Sequence, residues 1–380
     1  MVGIEVKLTY PVRLPMLNDK GIKTAIDRGL IKISNKISED QLQPGSLDVR
    51  IGRTYVFDND SQAKYVEEIS KVANRKKFDL TKLDSIQDSR KYGKYYPDKK
   101  DTPIIIPPNA FAEIYPHEQI SVNNKDFVLR YQLRTSRGRL GLQSWSEAPT
   151  VDNKGFYFSV KNTNPIPMKL YSQSKFANLF FQLQRRMRIG HGKNITNPKD
   201  IAKLLPEFAD NNSITPEGYV LFRIGKEAVT LNNIAGDEVL GIIDTAKTID
   251  SKFYEKHDLT KGYILPKAVS AIVQLTPKVN LPKNVGIMLL HDPPYSMEIH
   301  QYGFLFTDST RVKSGWVDQG YVGGLNGQPI SYMFPKFLKE GTVIAFGLVY
   351  QYNSDSDSAY GDSNLNSHYQ NSSGATTSRS

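Results

Sequence analysis

The stretch Leu133-Arg134-Thr135-Ser136-Arg137-Gly138-Arg139-Leu140-Gly141-Leu142 places three arginines, two hydroxyls and two glycines within ten residues. Arginine forks and hydroxyls bind phosphate oxygens, and glycine lets the backbone approach such a ligand closely. Leu140 and Leu142 are expected to anchor the end of the stretch in a core. A basic surface turn between two strands is the simpler interpretation. Composition favours neither, because short Arg/Gly/Ser runs are weak motifs.

Strand patterns surround this stretch on both sides. Short apolar or alternating segments with Pro, Gly and Asn between them predict an all-β chain with a few short helices, built as a sandwich or jelly roll. The predicted strands include 46–51, 103–107, 110–115, 127–133, 155–160, 176–183, 219–223, 268–275, 285–290 and 342–350. Residues 17–31 predict a short amphipathic helix, capped by Asn18 or Asp19 and ended at Gly29.

The chain divides where its composition changes. We expect an N-terminal β domain at 1–190, a linker at 191–216 containing a short helix, and a C-terminal β domain at 217–352. Residues 62–103 are rich in Lys, Asp and Tyr and are interpreted as an irregular insertion with a solvated surface. The Ser- and Asn-rich segment 353–380 has a disordered composition. Its removal is expected to leave folding intact.

Composition excludes several kinds of chemistry. The 380 residues contain no cysteine, which rules out a disulfide, a thiolate metal site, a cysteine nucleophile and the zinc-dependent base deaminases. The net charge of +10 suits an anionic partner without choosing among nucleotide, nucleic acid and acidic surface. No signal peptide or long apolar run is visible, which predicts a soluble, cytoplasmic protein without a membrane partner.

Four segments, in order, resemble motifs of the dCTP deaminase and dUTPase superfamily. The resemblance is closest to the double-length dCTP deaminases, in which two dUTPase-like β domains are fused. The segments are Gln43-Pro44-Gly45-Ser46-Leu47-Asp48-Val49-Arg50-Ile51-Gly52, the arginine-rich stretch from Arg134 to Leu142, Val317-Asp318-Gln319-Gly320-Tyr321-Val322-Gly323, and a tail from His368 to Arg379.

The resemblance implies a pyrimidine deoxynucleoside triphosphate as partner, with Mg²⁺ on its phosphates and no zinc. It also implies a homo-oligomer, either a dimer or a trimer. The implied nucleotide site has three parts. The triphosphate would bind Arg134, Thr135, Ser136 and Arg139, the sugar would lie against Asp318 and Tyr321, and Tyr369, Gln370 and Arg379 would close as a lid. Arg137 falls at a variable position of the motif and is expected to be an exposed charge of little consequence.

One residue of the family's pattern is not found in this sequence. The family's deaminases carry a glutamate on the strand after the Asp turn, and here Ser159 or Val160 takes its place. Neither side chain can act as a base. The candidate catalytic residues are therefore Asp318, Asp152 and Ser136.

Three functions follow from these residues. Deamination of dCTP to dUTP and ammonia comes first. Hydrolysis of dUTP to dUMP and pyrophosphate is the alternative, with Asp318 or Asp152 orienting water. A third hypothesis is a non-catalytic structural or assembly protein, which would be virion-associated. Nucleic acid is not expected as a partner, because no aromatic-basic motif for single strands is evident.

Overall fold

The computed structural model describes residues 13–73, 89–123, 125–144, 149–152, 155–185, 187, 189–210, 213–231, 234–235, 238–239, 241–266, 269–290, 310–311, 315–331, 335–362 and 369–375. Strands dominate these residues, which confirms the predicted fold class. The α-helices are α1 Asp19–Asp27, α2 Asn59–Ala73, α3 Thr135–Arg139 and α4 Pro198–Leu204. None of the described helices has the length and apolar character needed to cross a membrane.

The strands of the first half run from residue 16 to residue 194. They are β1 Met16–Leu17, β2 Ile31–Ile33, β3 Leu42–Gln43, β4 Ser46–Phe57, β5 Lys94–Tyr96, β6 Pro103–Ile106, β7 Phe111–Pro116, β8 Ile120–Val122, β9 Phe127–Leu133, β10 Leu142–Ser144, β11 Thr150–Asp152, β12 Gly155–Asn162, β13 Met168–Tyr171, β14 Lys175–Leu183 and β15 His191–Asn194.

The strands of the second half begin at residue 219. They are β16 Tyr219–Leu231, β17 Ile234–Ala235, β18 Glu238–Val239, β19 Ile243–Asp244, β20 Tyr254–Asp258, β21 Tyr263–Leu265, β22 Ala271–Thr276, β23 Val279–Asn280, β24 Val285–Leu290, β25 Thr310–Arg311, β26 Gly315–Val317, β27 Val322–Gly323, β28 Asn326–Gly327, β29 Ile330–Ser331, β30 Lys336–Leu338 and β31 Val343–Tyr352.

Each half is organised around one long strand. In the first half β14 pairs antiparallel with both β4 and β9. In the second half β31 pairs antiparallel with β16 and β24. The halves are joined because β15 also pairs with β31, with Gly192 opposite Tyr352.

The buried apolar side chains form two main clusters and a third that connects them. One cluster belongs to the first half and includes Leu47, Phe158 and Leu179. The second is built from the second half. The connecting cluster packs Phe180 of the first half with side chains such as Tyr350 of the second. Full burial of one such side chain contributes about 1.5–3 kcal/mol, so this layer fixes one half against the other.

One sequence-based expectation needs correction, and the structure adds detail to another. The insertion at 62–103 is not irregular throughout, because α2 covers its start and β5 adds a strand to β4. The segment at 191–216 holds β15 and α4, so it is ordered structure that pairs with β31. The predicted helix at its centre is confirmed. The domain boundaries themselves remain a prediction.

The helix predicted at 17–31 is also confirmed, in a shorter form. Asn18 caps α1, since its side-chain oxygen accepts a hydrogen bond from the Gly21 backbone N–H at 3.0 Å. Gly29 follows the helix with a φ of 68°, a conformation that favours glycine.

The tail packs against the rest of the molecule in its described parts, 353–362 and 369–375, contrary to its composition. Ser356 donates a hydrogen bond to the buried Asp19 carboxylate at 2.7 Å, and the Ser358 N–H donates to the same oxygen at 3.1 Å. Tyr369 and Ser372 are buried. Polar side chains therefore fix this segment through hydrogen bonds, which composition does not reveal.

Candidate active site

The arginine-rich stretch forms one short helix at the end of β9. Leu133 ends the strand, Arg134 occupies the N-cap position, and α3 follows directly. Leu140 and Leu142 are buried, which confirms their expected role as an anchor. Gly141 has a φ of 85°. The Asn164 side chain donates to the Leu140 carbonyl at 2.6 Å and holds this turn in place.

A cavity of about 360 Å³ lies beside α3 and is lined by both halves of the chain. Its size falls in the range of small-molecule sites. The first half contributes Gln43, Ser46, Asp48, Gln132, Arg134, Thr135, Ser136, Arg137, Lys175, Asn178 and Phe180, and the second contributes Thr245, Ala246, Trp316, Asp318, Tyr360 and Tyr369.

Strand register explains why polar side chains line the first-half wall. Asn178 on β14 lies opposite Asp48 on β4 and opposite Gln132 on β9, which puts three polar residues in one row across the sheet. Leu47 and Val49 point to the other face, into the core. The predicted charged face of this strand is therefore an interior surface.

Cations surround Asp48 at this wall. Arg134 Nη1 and Lys175 Nζ each lie 3.6 Å from Asp48 Oδ2, and Asn178 Nδ2 donates to Asp48 Oδ1 at 2.5 Å. Burial nevertheless raises the pKa of the Asp48 carboxyl, and the two cations oppose that effect. Positive groups thus gather at one end of the cavity around a single buried carboxylate.

Arg137 also lies at this end, contrary to the expectation that it is an exposed charge. Its guanidinium donates to the Thr245 carbonyl at 2.6 Å across the junction of the two halves. Desolvation, followed by repulsion from Arg134, lowers the pKa of Arg137 to about 10. Both effects would be relieved by an anion bound between the arginines.

Asp318 reaches the cavity from the second half, directly after β26. Its side chain is half-buried, and its buried Oδ1 atom has no hydrogen-bond partner among the described residues. Burial first, and the nearby Asp48 second, raise the pKa of Asp318 to about 7. A carboxyl with this pKa can both take and release a proton near neutral pH.

An aromatic wall stands next to Asp318. The Trp316 ring lies 6.0 Å from Phe180 and 5.6 Å from Tyr350, between centroids. The Trp316 backbone N–H donates to Gln132 Oε1 at 2.7 Å, so the first half helps to fix the ring. A flat, apolar wall of this kind suits a planar heterocycle.

Three predicted nucleotide-binding residues hold the tail and do not line the cavity. The Arg139 guanidinium lies over the Tyr369 ring, 3.9 Å from its centroid. The Tyr321 hydroxyl donates to the Gly324 carbonyl at 2.7 Å and lies 2.9 Å from Ser372 Oγ. Gln370 Oε1 accepts from the Val322 N–H at 3.1 Å. Direct contact of Arg139, Tyr321 and Gln370 with a nucleotide remains a prediction.

For two other predicted site residues, the structure does not describe the side chain. Asp152 ends β11 opposite Gly155, and its side chain is outside the described part of the chain. Arg379 is also outside the described residues.

The two strand positions where the resemblance implies a glutamate differ in burial. Val160 is buried and faces Ala112 of β7, whereas Ser159 is half-buried and lies opposite Glu113. In the second half, the Gln328 amide, in the orientation that satisfies its hydrogen bonds, donates to the Gly138 carbonyl and accepts from the Arg139 N–H at 2.9 Å. A neutral amide therefore braces the arginine-rich stretch.

Sequence reasoning missed several residues of the cavity. Asp48 could have been predicted, because it lies in segment 43–52, which carries one of the four family motifs. Lys175, Thr245 and Tyr360 sit in segments without a recognisable pattern, and only the fold brings them to the site.

The residues present do not form a complete protein site for a metal ion. No group of three His, Cys, Asp or Glu side chains suited to a cation occurs in the described part of the chain. The predicted Mg²⁺ would consequently depend on the phosphates of a nucleotide for most of its ligands.

Part of this chain is similar in sequence to known proteins. The dCTP deaminase-like family model matches residues 16–183. A protein of Nanoarchaeum equitans named "dCTP deaminase, dUMP-forming" is 31% identical over 174 residues, covering 43% of this chain and 82% of that protein. A protein of the same name from Methanosphaera stadtmanae is 28% identical over 173 residues, covering 44% of this chain and 79% of that protein.

The fold comparison extends over both halves. The crystal structure of 2'-deoxycytidine 5'-triphosphate deaminase from Agrobacterium tumefaciens superposes with a TM-score of 0.62 at 14% identity, covering 89% of this chain and 99% of that one. The motifs, the sequence relatives and the shared fold agree. This chain belongs to the dCTP deaminase and dUTPase superfamily.

Proposed function

We propose that the chain binds a pyrimidine deoxynucleoside triphosphate in the cavity between its halves and deaminates dCTP to dUTP and ammonia. One observation carries the proposal. One cavity has a cluster of cations at one wall and, from the other half of the chain, the half-buried Asp318 carboxyl, whose pKa is raised to about 7. Relatives named for dCTP deamination support the choice of reaction.

The lining suggests how the nucleotide would lie. Arg134, Arg137 and the hydroxyls of Thr135 and Ser136 would hold the triphosphate, because arginine and hydroxyl groups donate to phosphate oxygens. The base would then lie against the wall formed by Trp316. This placement brings the pyrimidine to the end of the cavity where Asp318 lies.

Asp318 would perform the proton transfers. As a carboxylate it takes a proton from water while the water oxygen forms a bond to C4 of cytosine and the C4–N3 π electrons move to N3. Asp318 then returns the proton to the amino nitrogen, the bond between C4 and that nitrogen breaks, and the C4–N3 double bond re-forms. The proton of the new 4-hydroxyl group moves to N3, which gives the uracil ring. The sum is dCTP plus water giving dUTP plus ammonia. General acid–base catalysis of this kind contributes about 10²- to 10⁴-fold.

Hydrolysis of dUTP to dUMP and pyrophosphate is the second candidate. The words "dUMP-forming" in the names of the relatives favour it as a further step in the same site. Asp48 lies among Arg134 and Lys175, at the wall where the phosphates would bind. With Mg²⁺ on the triphosphate, a carboxylate there could orient water toward phosphorus.

The test separates these reactions directly. The protein is incubated with dCTP or dUTP and Mg²⁺, nucleotides are resolved by ion-pair chromatography, and ammonia is measured. We expect ammonia in a one-to-one ratio with dCTP consumed. Consumption of dUTP alone would replace the first candidate by the second. A folded protein inert toward both would favour the structural hypothesis.

Substitution of the carboxyl assigns the chemistry. Asp318→Asn is expected to lower the deamination rate by about 10²- to 10⁴-fold while nucleotide binding persists. Asp200→Asn is the matched control, because Asp200 is exposed on α4 and far from the cavity lining. Equal rates in the two variants would remove Asp318 from the mechanism.

A further inference from the structure

A second cavity lies in the first half of the chain, with a volume of about 600 Å³. Side chains of β2 and β8 form one of its sides, and β4, β5 and β7 contribute to the other. None of its lining residues lines the cavity that contains Asp318. The proposed deaminase function gives this cavity no role.

A row of tyrosine rings lies beside it, in which Tyr95 is exposed and Tyr115 is buried. Tyr95 on β5 is 54% exposed, although it is a large aromatic residue. It lies opposite Tyr55 on β4, with the two ring centroids 5.2 Å apart. Tyr115 continues the row, 6.2 Å from Tyr55 and 5.3 Å from Tyr157. The neighbouring rings hold Tyr95 at the rim, where its exposed surface is available for stacking.

Positive charge lies next to these rings. The Arg53 guanidinium is 4.2 Å from the Tyr115 centroid, and the exposed Lys32 also lines the cavity. Asp98 is the acidic residue among the described lining residues. Its carboxylate already contacts His117 Nδ1 at 2.8 Å and the Gln173 amide at 3.1 Å.

The charge continues beyond the cavity along the chain. The segment that carries Tyr95 also carries exposed lysines before and after it, namely Lys91, Lys94, Lys99 and Lys100. Acidic residues interrupt this track at Asp101 and at Glu113, which lies opposite Tyr55. Cations nevertheless outnumber acids around the rings, in a chain with a net charge of +10.

We propose that this second cavity and the adjoining tyrosine face bind single-stranded nucleic acid. A base would stack on Tyr95, and successive phosphates would contact Arg53, Lys32 and Lys99. Single strands present unpaired bases for stacking, whereas a duplex does not. A free mononucleotide would use one ring and a few cations, and would leave the lysines on both sides of the cavity without a ligand.

The probe is a fluorescently labelled oligothymidylate of about twelve nucleotides, chosen because a single domain contacts roughly 4–16 nucleotides. Its anisotropy is followed as the full-length protein is titrated at several salt concentrations. Tyr95→Ala should weaken binding by roughly 5- to 100-fold, the range for loss of one stacked base. Phe337→Ala is the matched control, since Phe337 is 52% exposed and lies outside both cavities.

The lysines are tested by the salt dependence. Lys32→Gln combined with Lys99→Gln should reduce the slope of log affinity against log salt by about 1.4, because each phosphate contact on a single strand contributes about 0.7. Lys199→Gln with Lys203→Gln, both exposed on α4, should leave the slope unchanged. All four variants should unfold in urea at the wild-type midpoint, which shows that they are folded whether or not the chain turns over dCTP.

Several results would overturn the proposal. Duplex DNA that binds as tightly as the oligothymidylate would indicate only a general basic surface. Thymidine monophosphate that competes as well as the oligomer would indicate a free-nucleotide site. Displacement of the oligomer by dCTP at its substrate concentration would place the oligomer in the deaminase cavity. Equal affinities of Tyr95→Ala and Phe337→Ala would remove the stacking platform.

Discussion

Asp318 and Asp48 are two carboxyl groups at one cavity, and Asp48 makes ionisation of Asp318 harder. Burial is the larger cause of the raised pKa of Asp318, and Asp48 adds repulsion. Asp48 differs because Arg134 and Lys175 offset part of its desolvation. Asp48 thus lies among cations that counter its desolvation, whereas burial and Asp48 together raise the pKa of Asp318 to about 7.

This difference predicts how stability depends on pH. The folded-state pKa of Asp318, about 7, exceeds its ordinary value of 3.8, so the native state retains a proton that the unfolded chain releases. Its contribution is fully present below pH 4 and is lost as pH rises toward 7, by at most about 1.4 kcal/mol per pH unit. Asp19 and Asp48 also have raised pKa values and act in the same direction.

The measurement is urea denaturation without nucleotide at pH 5 and pH 8. The wild-type protein should be less stable at pH 8. In Asp318→Asn this loss should shrink, because the amide does not ionise. A variant whose free energy of unfolding changes with pH as much as that of the wild type would show that Asp318 titrates normally.

The position of Arg137 predicts a direct contribution to nucleotide binding. The sequence motif ranks it below Arg139, yet Arg137 lines the cavity and bonds to Thr245. Arg137→Ala is expected to weaken dUTP binding by about 1.5–3 kcal/mol, the range for a hydrogen bond to a charged group. Calorimetric titration measures the loss. Arg223→Ala is the control, since Arg223 donates to the Gly341 carbonyl in a similar way but lies away from the cavity.

The tail is the element whose observed structure differs most from the expectation based on its composition. Its composition is that of a disordered segment, and its described residues bond to both halves of the chain. Ser356 and Ser358 reach Asp19 at the start of α1, whereas Tyr369 meets Arg139 at the end of α3. The tail thereby connects the first helix to the arginine-rich stretch. Its opening and closing as a lid remains a prediction.

The Ser356 contact revises the expectation that the tail can be removed without effect on folding. Ser356→Ala would leave the buried Asp19 carboxylate with one hydrogen bond fewer, at a cost of about 1–3 kcal/mol in unfolding free energy. Ser354→Ala is the control, because Ser354 is exposed. Equal unfolding free energies of the two variants in denaturant titration would show that the tail contributes nothing to stability here.

The ring contact between Arg139 and Tyr369 predicts energetic coupling. If Arg139 acts on the nucleotide through Tyr369, Arg139→Ala and Tyr369→Ala should weaken dUTP binding by similar amounts, and the double variant should lose little more. Additive losses, measured by calorimetry, would instead mean that Arg139 contacts the triphosphate by itself. This double-mutant cycle therefore distinguishes direct binding of the triphosphate by Arg139 from a role of Arg139 in positioning Tyr369.

At the scale of the whole molecule, the cavity exists only because the two halves pack together. Phe180 and Trp316, from different halves, meet at its wall, and the pairing of β15 with β31 fixes their relation. A site built in this way depends on the connecting apolar layer as much as on its polar residues.

We also predict that copies of the chain associate into a dimer or trimer. The resemblance implies a dimer or trimer, and the protein exposes the large apolar side chains of Ile264 and Phe337, which lie opposite each other on β21 and β30. Light scattering at micromolar concentration is expected to give two or three times the 42.9 kDa of one chain. A monomer at that concentration would contradict this expectation.

The sequence by itself determined the fold class, the family and the arginine-rich stretch, because strand alternation and glycine-bearing motifs are local properties of the chain. Tertiary structure alone decided which charged residues share a site. Asp48, Arg137 and Asp318 meet because strand register and the packing of two halves bring together positions far apart in sequence. The order of the tail was likewise decided in three dimensions, since its partners, such as Asp19, lie hundreds of residues away.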